Sequence, residues 1–440
     1  MKGLSIEGTF TRLGIITSMA ASLILTGCSQ EGAQAEHAKT EASTAAIRLE
    51  YWTPFSGGDN VFMTELVDQF NQEHADIQVV QMNSRLDDYY SRLRTAILSG
   101  NAPDVAVIHA TSLPQFVQNG YIEELSAPAK AAGLDWQVFN PSVLNAAQFQ
   151  EKVFAVPLDT HVLVMYYNKT FLGRAGVLDG QGKPIIAPGE AGFTAFLERI
   201  RQSAPPNIAP LAQPSTRIDS VWLWWSLYNQ IQGGGTFYNA AGTQAAIDNP
   251  AALKALTYIH GLYESKLIPP DIPDAFKLFY DGKAAVLITG VWATGALEKA
   301  ADLDFGVVPL PTLYDKPAAW ADSHTLAIPT QHEMPEQKRQ AAMTFMKWVA
   351  EHGAKWSEAG HVPSVSSIVQ TEAFRALNYR SDYAEAANSV AFWPKHTKQW
   401  SFIEMIIRQF ERMNYGELSP EEVLKAASVQ INLELAKQDR

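Results

Sequence analysis

The sequence predicts an α/β protein in two domains, and three observations carry that expectation. Short apolar runs alternate with helix-patterned segments, the signature of parallel strands flanked by helices. Turn residues punctuate each change, as at Gly57-Gly58 and Gly100-Asn101. The chain of 440 residues exceeds what one core usually organises, so two domains are expected. With 47% hydrophobic residues the chain has enough apolar side chains to be globular. A formal net charge of −12 without a basic patch excludes nucleic acid as a partner, because phosphates require a basic surface.

The first unit runs from Leu49 through the loop Trp52 to Asp59 into a helix over Val61 to Phe70, with Met63, Leu66 and Phe70 on one face and Asp59 or Asn60 as its cap. Trp52 and Phe55 sit at that turn, where the C-terminal ends of parallel strands form a ligand-binding crevice. Ile77 to Val80 predicts a second strand. Ser84-Arg85-Leu86-Asp87 has the form of a capping box opening a helix through Tyr89, Leu93 and Ile97. Val105 to His109 follows as a buried strand. Val153 to Lys169 is a long apolar extended segment suited to cross between domains.

In Trp222 to Tyr228 three tryptophans fall in one short helical stretch. Adjacent helical residues diverge by about 100°, so at least one indole faces a cleft or solvent. Asn249-Pro250 opens the next helix. Strands are expected at Ala284 to Ile288, Phe305 to Pro309 and His324 to Pro329, and an amphipathic helix over Glu336 to Glu351. Ser419-Pro420-Glu421-Glu422 is a start signal for the last helix. No stretch of the body is apolar enough to span a membrane.

The N-terminus has a different character. Lys2 and Arg12 flank an apolar stretch from Leu13 to Leu25, and Cys28, the single cysteine, follows Leu25-Thr26-Gly27. This pattern resembles the bacterial lipoprotein signal. It implies that residues 1–27 are removed, that Cys28 carries lipid, and that residues 28–46 form a flexible tether outside the cytoplasm, at the outer face or in a periplasm. A lone cysteine also excludes a disulfide within the chain.

Several short motifs share one order and spacing: Trp52 to Asp59, Gly100 to Asp104, Pro157-Leu158-Asp159-Thr160, Tyr166 to Lys169, Asp281 to Ala285, Gly290-Val291-Trp292 and Asp304 to Pro311. Together they resemble the bacterial extracellular solute-binding proteins of the maltose-binding type. The resemblance implies a two-lobe, class II periplasmic-binding-protein-like fold, each lobe a mixed, mostly parallel sheet flanked by helices. Lobe 1 would hold residues 47–158 and 309–360, and lobe 2 residues 159–308 and 361–440, with hinge crossings near Leu158, Pro309 and Gly360. It further implies a monomer that delivers a carbohydrate to the permease subunits of an ABC importer, without a cofactor.

A sugar presents flat C–H faces and a rim of hydroxyls, so its site combines aromatic platforms with polar groups in the ring plane. The candidate platforms are Trp52, Phe55, Trp224, Trp292 and Trp393; the candidate polar groups are Asp59, Arg85, Asp104, Asp159, Asp322 and His324. Two other readings compete. The same fold can take a polyamine, metal chelate or peptide, or the chain can hydrolyse glycosides with two carboxylates. No nucleophile elbow or paired-histidine motif supports an enzyme. No metal is expected either, because the histidines are scattered and no second cysteine is present.

Overall fold

A computed structural model describes residues 46–55 and 58–437 of the protein. They belong to a compact unit that begins at Ala45. Residues 1–45, which hold the expected signal segment, Cys28 and all but the last residue of the expected tether, lie outside the described residues.

Strand β1 (Ile47–Thr53), helix α1 (Asp59–Glu73), β2 (Ile77–Asn83), α2 (Leu86–Leu98) and β3 (Val105–His109) open the chain. Both β2 and β3 run parallel to β1, as right-handed strand–helix–strand units require. Met63, Leu66, Val67 and Phe70 bury one face of α1 against Leu49 and Tyr51 of β1. Neither expected cap forms. Helix α1 begins at Asp59 itself, with no side chain capping it. Before α2 stands Arg85, again without a side-chain cap, and the Ser84 hydroxyl instead accepts from Arg92 at 3.0 Å.

The chain continues through β4 (Val156–Pro157), β5 (Asp159–Asn168), β6 (Ala209–Ala212), α3 (Asp219–Gln230), α4 (Pro250–Glu264), β7 (Ala284–Gly290), β8 (Phe305–Pro309), β9 (Ala319–Asp322) and β10 (His324–Ala327). Helix α5 (Glu336–Glu351), β11 (Val362–Pro363), β12 (Val390–Ala391), α6 (Gln399–Asn414) and α7 (Pro420–Leu435) complete it. At the start of α7 both arms of the expected capping box are present, between Ser419 and Glu422. Among the described residues no helix is long and apolar enough to cross a membrane.

Two mixed sheets result. The first has the order β2-β1-β3-β10-β4, with β10 antiparallel to β3 and β4. The second has the order β12-β9-β5-β7-β6, and β8 and β11 also pair with β5. All ten residues of β5 are buried, which explains the continuous apolar run from Val162 to Tyr167. Leu158 is the step from the first sheet to the second, and Ser323 is the step back.

These pairings correct the expected lobe boundaries. Pro309 is no crossing: it pairs with Val164, and β8 and β9 both extend β5, so residues 309–322 stay with the second sheet. After Gly360, Val362 packs in the second core, yet Val365, Ile368 and Phe374 return to the first. The last transfer falls between Phe374 and Tyr383.

Candidate functional site

A cavity of about 260 Å³ is lined from both sheets. From the first come Phe55 after β1, Asp59 at the start of α1, Tyr90 on α2, His109 at the end of β3 and Thr111 beyond it. From the second come Trp222 on α3, Trp292 after β7, Trp320 on β9, and Trp393. These are the ends of strands and the starts of helices, where the backbone leaves room for a solute.

The indoles form a wall. Trp222 and Trp320 stack at 4.2 Å between centroids, and Trp292 meets them edge-on at 5.6 and 6.2 Å. Gly290 makes room for Trp292, since a Cβ there would sit 1.8 Å from its ring. The indole N–H groups of Trp222 and Trp320 have no acceptor among the described residues. Both nitrogens are themselves buried, although their rings line the cavity.

The floor is built on Asp159, the first residue of β5 and fully buried. Its Oδ1 accepts from His161 at 3.1 Å and from the His324 backbone at 3.1 Å. Its Oδ2 accepts from His324 Nδ1 at 2.8 Å and Trp356 Nε1 at 2.7 Å. His361 follows Gly360, whose φ of 124° brings the backbone against Val291 where no Cβ fits. Its Nε2 lies 3.5 Å from Asp59 and its Nδ1 3.6 Å from Asp159.

The charges on this floor are strongly coupled. Burial alone would raise the Asp159 pKa, but the attraction of His324 and His361, with hydrogen bonds from His161 and His324, holds it well below the usual range. Burial opposes protonation of His361, yet Asp159 and Asp59 outweigh it and raise its pKa. Burial and then repulsion from His324 lower both His109 and His161. Asp322 is raised by burial, although His161 and N–H groups of Thr111 and Ser323 favour its charged form.

Of the residues expected from sequence, Phe55, Asp59, Trp292, Asp322, His324 and Trp393 line the cavity, with Asp159 beneath them. Four others do not. Trp224 is fully buried and its Nε1 donates to the Ala252 carbonyl at 3.0 Å, because it stands about 200° around α3 from Trp222. Trp52 is still inside β1 and packs beside Tyr89 and Ile97, away from the cavity. Asp104 lies at the wrong end of β3, about 16 Å from His109 at strand rise; there it accepts from the Glu50 backbone and pairs with Lys338 at 2.8 Å. Arg85 is exposed before α2 and its neighbour Leu86 takes the lining position.

Sequence reasoning missed Tyr90, His109, Thr111, His161, Arg217, Trp222, Trp320 and His361. The tryptophan run was one signal, since it required an outward indole without saying which. The expectation of scattered histidines is corrected outright: His109, His161, His324 and His361 converge although 252 positions separate the first from the last.

A profile described as bacterial extracellular solute-binding protein matches residues 65–388. A galactooligosaccharide-binding protein from Bacillus subtilis is 20% identical over 93% of this chain and 93% of its own. An ABC substrate-binding protein from Listeria monocytogenes in complex with cycloalternan superposes with a TM-score of 0.76 and 20% identity, covering 89% of this chain and 100% of its own. UgpB from Mycobacterium tuberculosis in complex with glycerophosphocholine also gives a TM-score of 0.76, at 18% identity over 88% of this chain and 99% of its own. The likeness to both structures establishes the two-lobe fold. With a family match across most of the chain and a cavity lined from both lobes, the protein belongs to the bacterial extracellular solute-binding protein family.

Proposed function

We propose that this protein is the substrate-binding component of an ABC-type carbohydrate importer, capturing a sugar between its lobes and delivering it to the permease subunits. The observation that carries the reading is the indole wall of Trp222, Trp292 and Trp320, in one cavity with the Asp322 carboxylate. Flat apolar rings cover the C–H face of a sugar, while donors and carboxylates meet its hydroxyls. A volume of about 260 Å³, just below the roughly 300–1,000 Å³ of ligand pockets, suits a small sugar. The sugar-binding relatives support the same class.

The protein acts as a binder rather than an enzyme. Asp159 is already saturated by two histidines and Trp356, and Asp322 by backbone N–H groups, so neither is set up to shuttle a proton to a glycosidic oxygen. Phe55 and Tyr90 on one lobe and Trp292 on the other are the jaws, and a solute favours closure by its differential affinity for the closed form. Lipid on Cys28 holds the mature protein at the membrane outside the cytoplasm.

A second reading keeps the fold and changes the solute to a cationic one. Stacked indoles beside Asp322 also suit an ammonium group. One thermal-shift panel of sugars, polyamines and choline derivatives decides between them, since a ligand at a hundredfold excess over Kd stabilises by about 2.7 kcal/mol. A sugar shift without turnover on chromatography supports the importer reading. Shifts with cations alone overturn the sugar, and turnover of the sugar overturns the binder.

A further inference from the structure

We propose that Asp159, His161, His324 and His361 form a binding site for a divalent transition-metal ion, Zn²⁺ in the first instance, on the floor of the cleft. One donor atom from each residue lies within 4.8 Å of all the others, and all four residues are buried. Three imidazole Nδ1 atoms surround one carboxylate, at 2.8 Å for His324, 3.1 Å for His161 and 3.6 Å for His361. Tetrahedral bonds of about 2.0–2.1 Å place donors about 3.3–3.4 Å apart, so small side-chain adjustments bring the set onto one ion. Three imidazoles with one carboxylate suit zinc and its neighbours rather than calcium or magnesium, which prefer all-oxygen sites.

Hydrogen bonding alone does not account for the cluster. Asp159 is satisfied by His161, His324 and Trp356. A third histidine is superfluous to that arrangement. Yet His361 is wholly buried with neither ring nitrogen hydrogen-bonded among the described residues, a costly state for two polar atoms. An ion on Nδ1 accounts for one of them. Asp59 accounts for the other: its Oδ1, itself buried without a partner, lies 3.5 Å from His361 Nε2. Carboxylate, histidine and metal in that order are how proteins orient a ligating imidazole. Trp356 plays the matching part on the other side, donating to Asp159 while lying parallel to the His361 ring at 4.7 Å.

Charge is consistent with a cation. Three carboxylates, Asp59, Asp159 and Asp322, are buried around the floor, and two positive charges on an ion offset much of their mutual repulsion. Each imidazole meets the ion through an unprotonated Nδ1: His161 and His324 give up the Nδ1 proton and carry one on Nε2, and a proton on His361 Nδ1 leaves to solvent as the ion binds.

The test uses the full-length chain carrying no histidine tag, stripped with a chelator and then dialysed against Zn²⁺ or Co²⁺. Bound metal measured by plasma mass spectrometry should be one ion per chain, Zn²⁺ should raise the melting temperature, and Co²⁺ should give the visible absorption of four-coordinate nitrogen and oxygen ligation. His361→Ala and His324→Gln should each weaken binding at least tenfold, and Asp59→Asn, which orients without ligating, by about 10–100-fold. His332→Ala, at an exposed position outside the cluster, should change nothing. Should the His324 variant not fold, circular dichroism identifies it and the His361 and Asp59 variants carry the test. Retention of no more metal than a histidine-poor control protein, or wild-type affinity in folded His361→Ala, overturns the proposal.

Discussion

Trp222, Trp224 and Trp225 leave one helix in three directions, and each direction has its own consequence. Trp225 donates to the Ala391 carbonyl at 3.0 Å and stacks on Trp393 at 4.5 Å, so it braces one cavity wall from behind. Trp224 is core, and Trp224→Ala should cost about 3–5 kcal/mol in urea unfolding. Trp292 is half-buried at the cavity, and covering a sugar face is worth roughly 1 kcal/mol, or about fivefold in Kd. Isothermal titration of Trp292→Ala should show at least that loss with little change in melting temperature. A large melting loss with unchanged affinity would return Trp292 to the core. The indole expected at Trp224 was thus found two residues earlier, because helical phase, invisible to composition, decides which ring faces the cleft.

At the scale of elements, two short segments set the site. The turn after β7 depends on Gly290, where an added Cβ would occupy the place of the Trp292 ring. Gly290→Ala should therefore rotate that indole and weaken solute binding about as much as Trp292→Ala does; unaltered titration curves would show that the ring position is immaterial. The last transfer between lobes depends on Arg380, which is 1% exposed. Its guanidinium donates to the Ser357 carbonyl at 2.9 Å, to the Glu358 carbonyl, and to the Glu298 carboxylate. Arg380→Met leaves the buried Ser357 carbonyl without its donor, while Glu298, at the surface, turns to water, for an expected loss of about 1–3 kcal/mol on denaturant unfolding. The strands themselves were readable, since Val105 to His109 and Phe305 to Pro309 match the observed spans. Their partners were not.

For the whole molecule, three chain segments join two sheets across one cavity, the geometry of a clamp. Small-angle scattering should show a smaller radius of gyration once a binding solute is added. An unchanged radius under saturating ligand would argue for a preformed pocket instead. The proposed membrane attachment is tested on the intact chain. Cys28→Ser should move the protein from the membrane fraction to the soluble fraction, and metabolic labelling with palmitate should mark the parent protein and not the variant. Equal partitioning of both would remove the lipid anchor from the functional reading.

The sequence by itself determined the α/β class, the family, and the local signals, among them the Ser419 to Glu422 capping box and the placement of Phe55 and Asp59 at the cleft. Those features depend on neighbours a few residues apart, and propensity, period and capping act at that range. Tertiary structure alone decided that Ser323 and not Pro309 carries the chain between sheets, because strand pairing involves residues more than 100 positions apart. It also decided that Asp104 faces away while Asp159 gathers three histidines. A buried carboxylate is stable only among donors that approach it in space, and which donors those are depends on the ends of strands that meet only when the two sheets assemble.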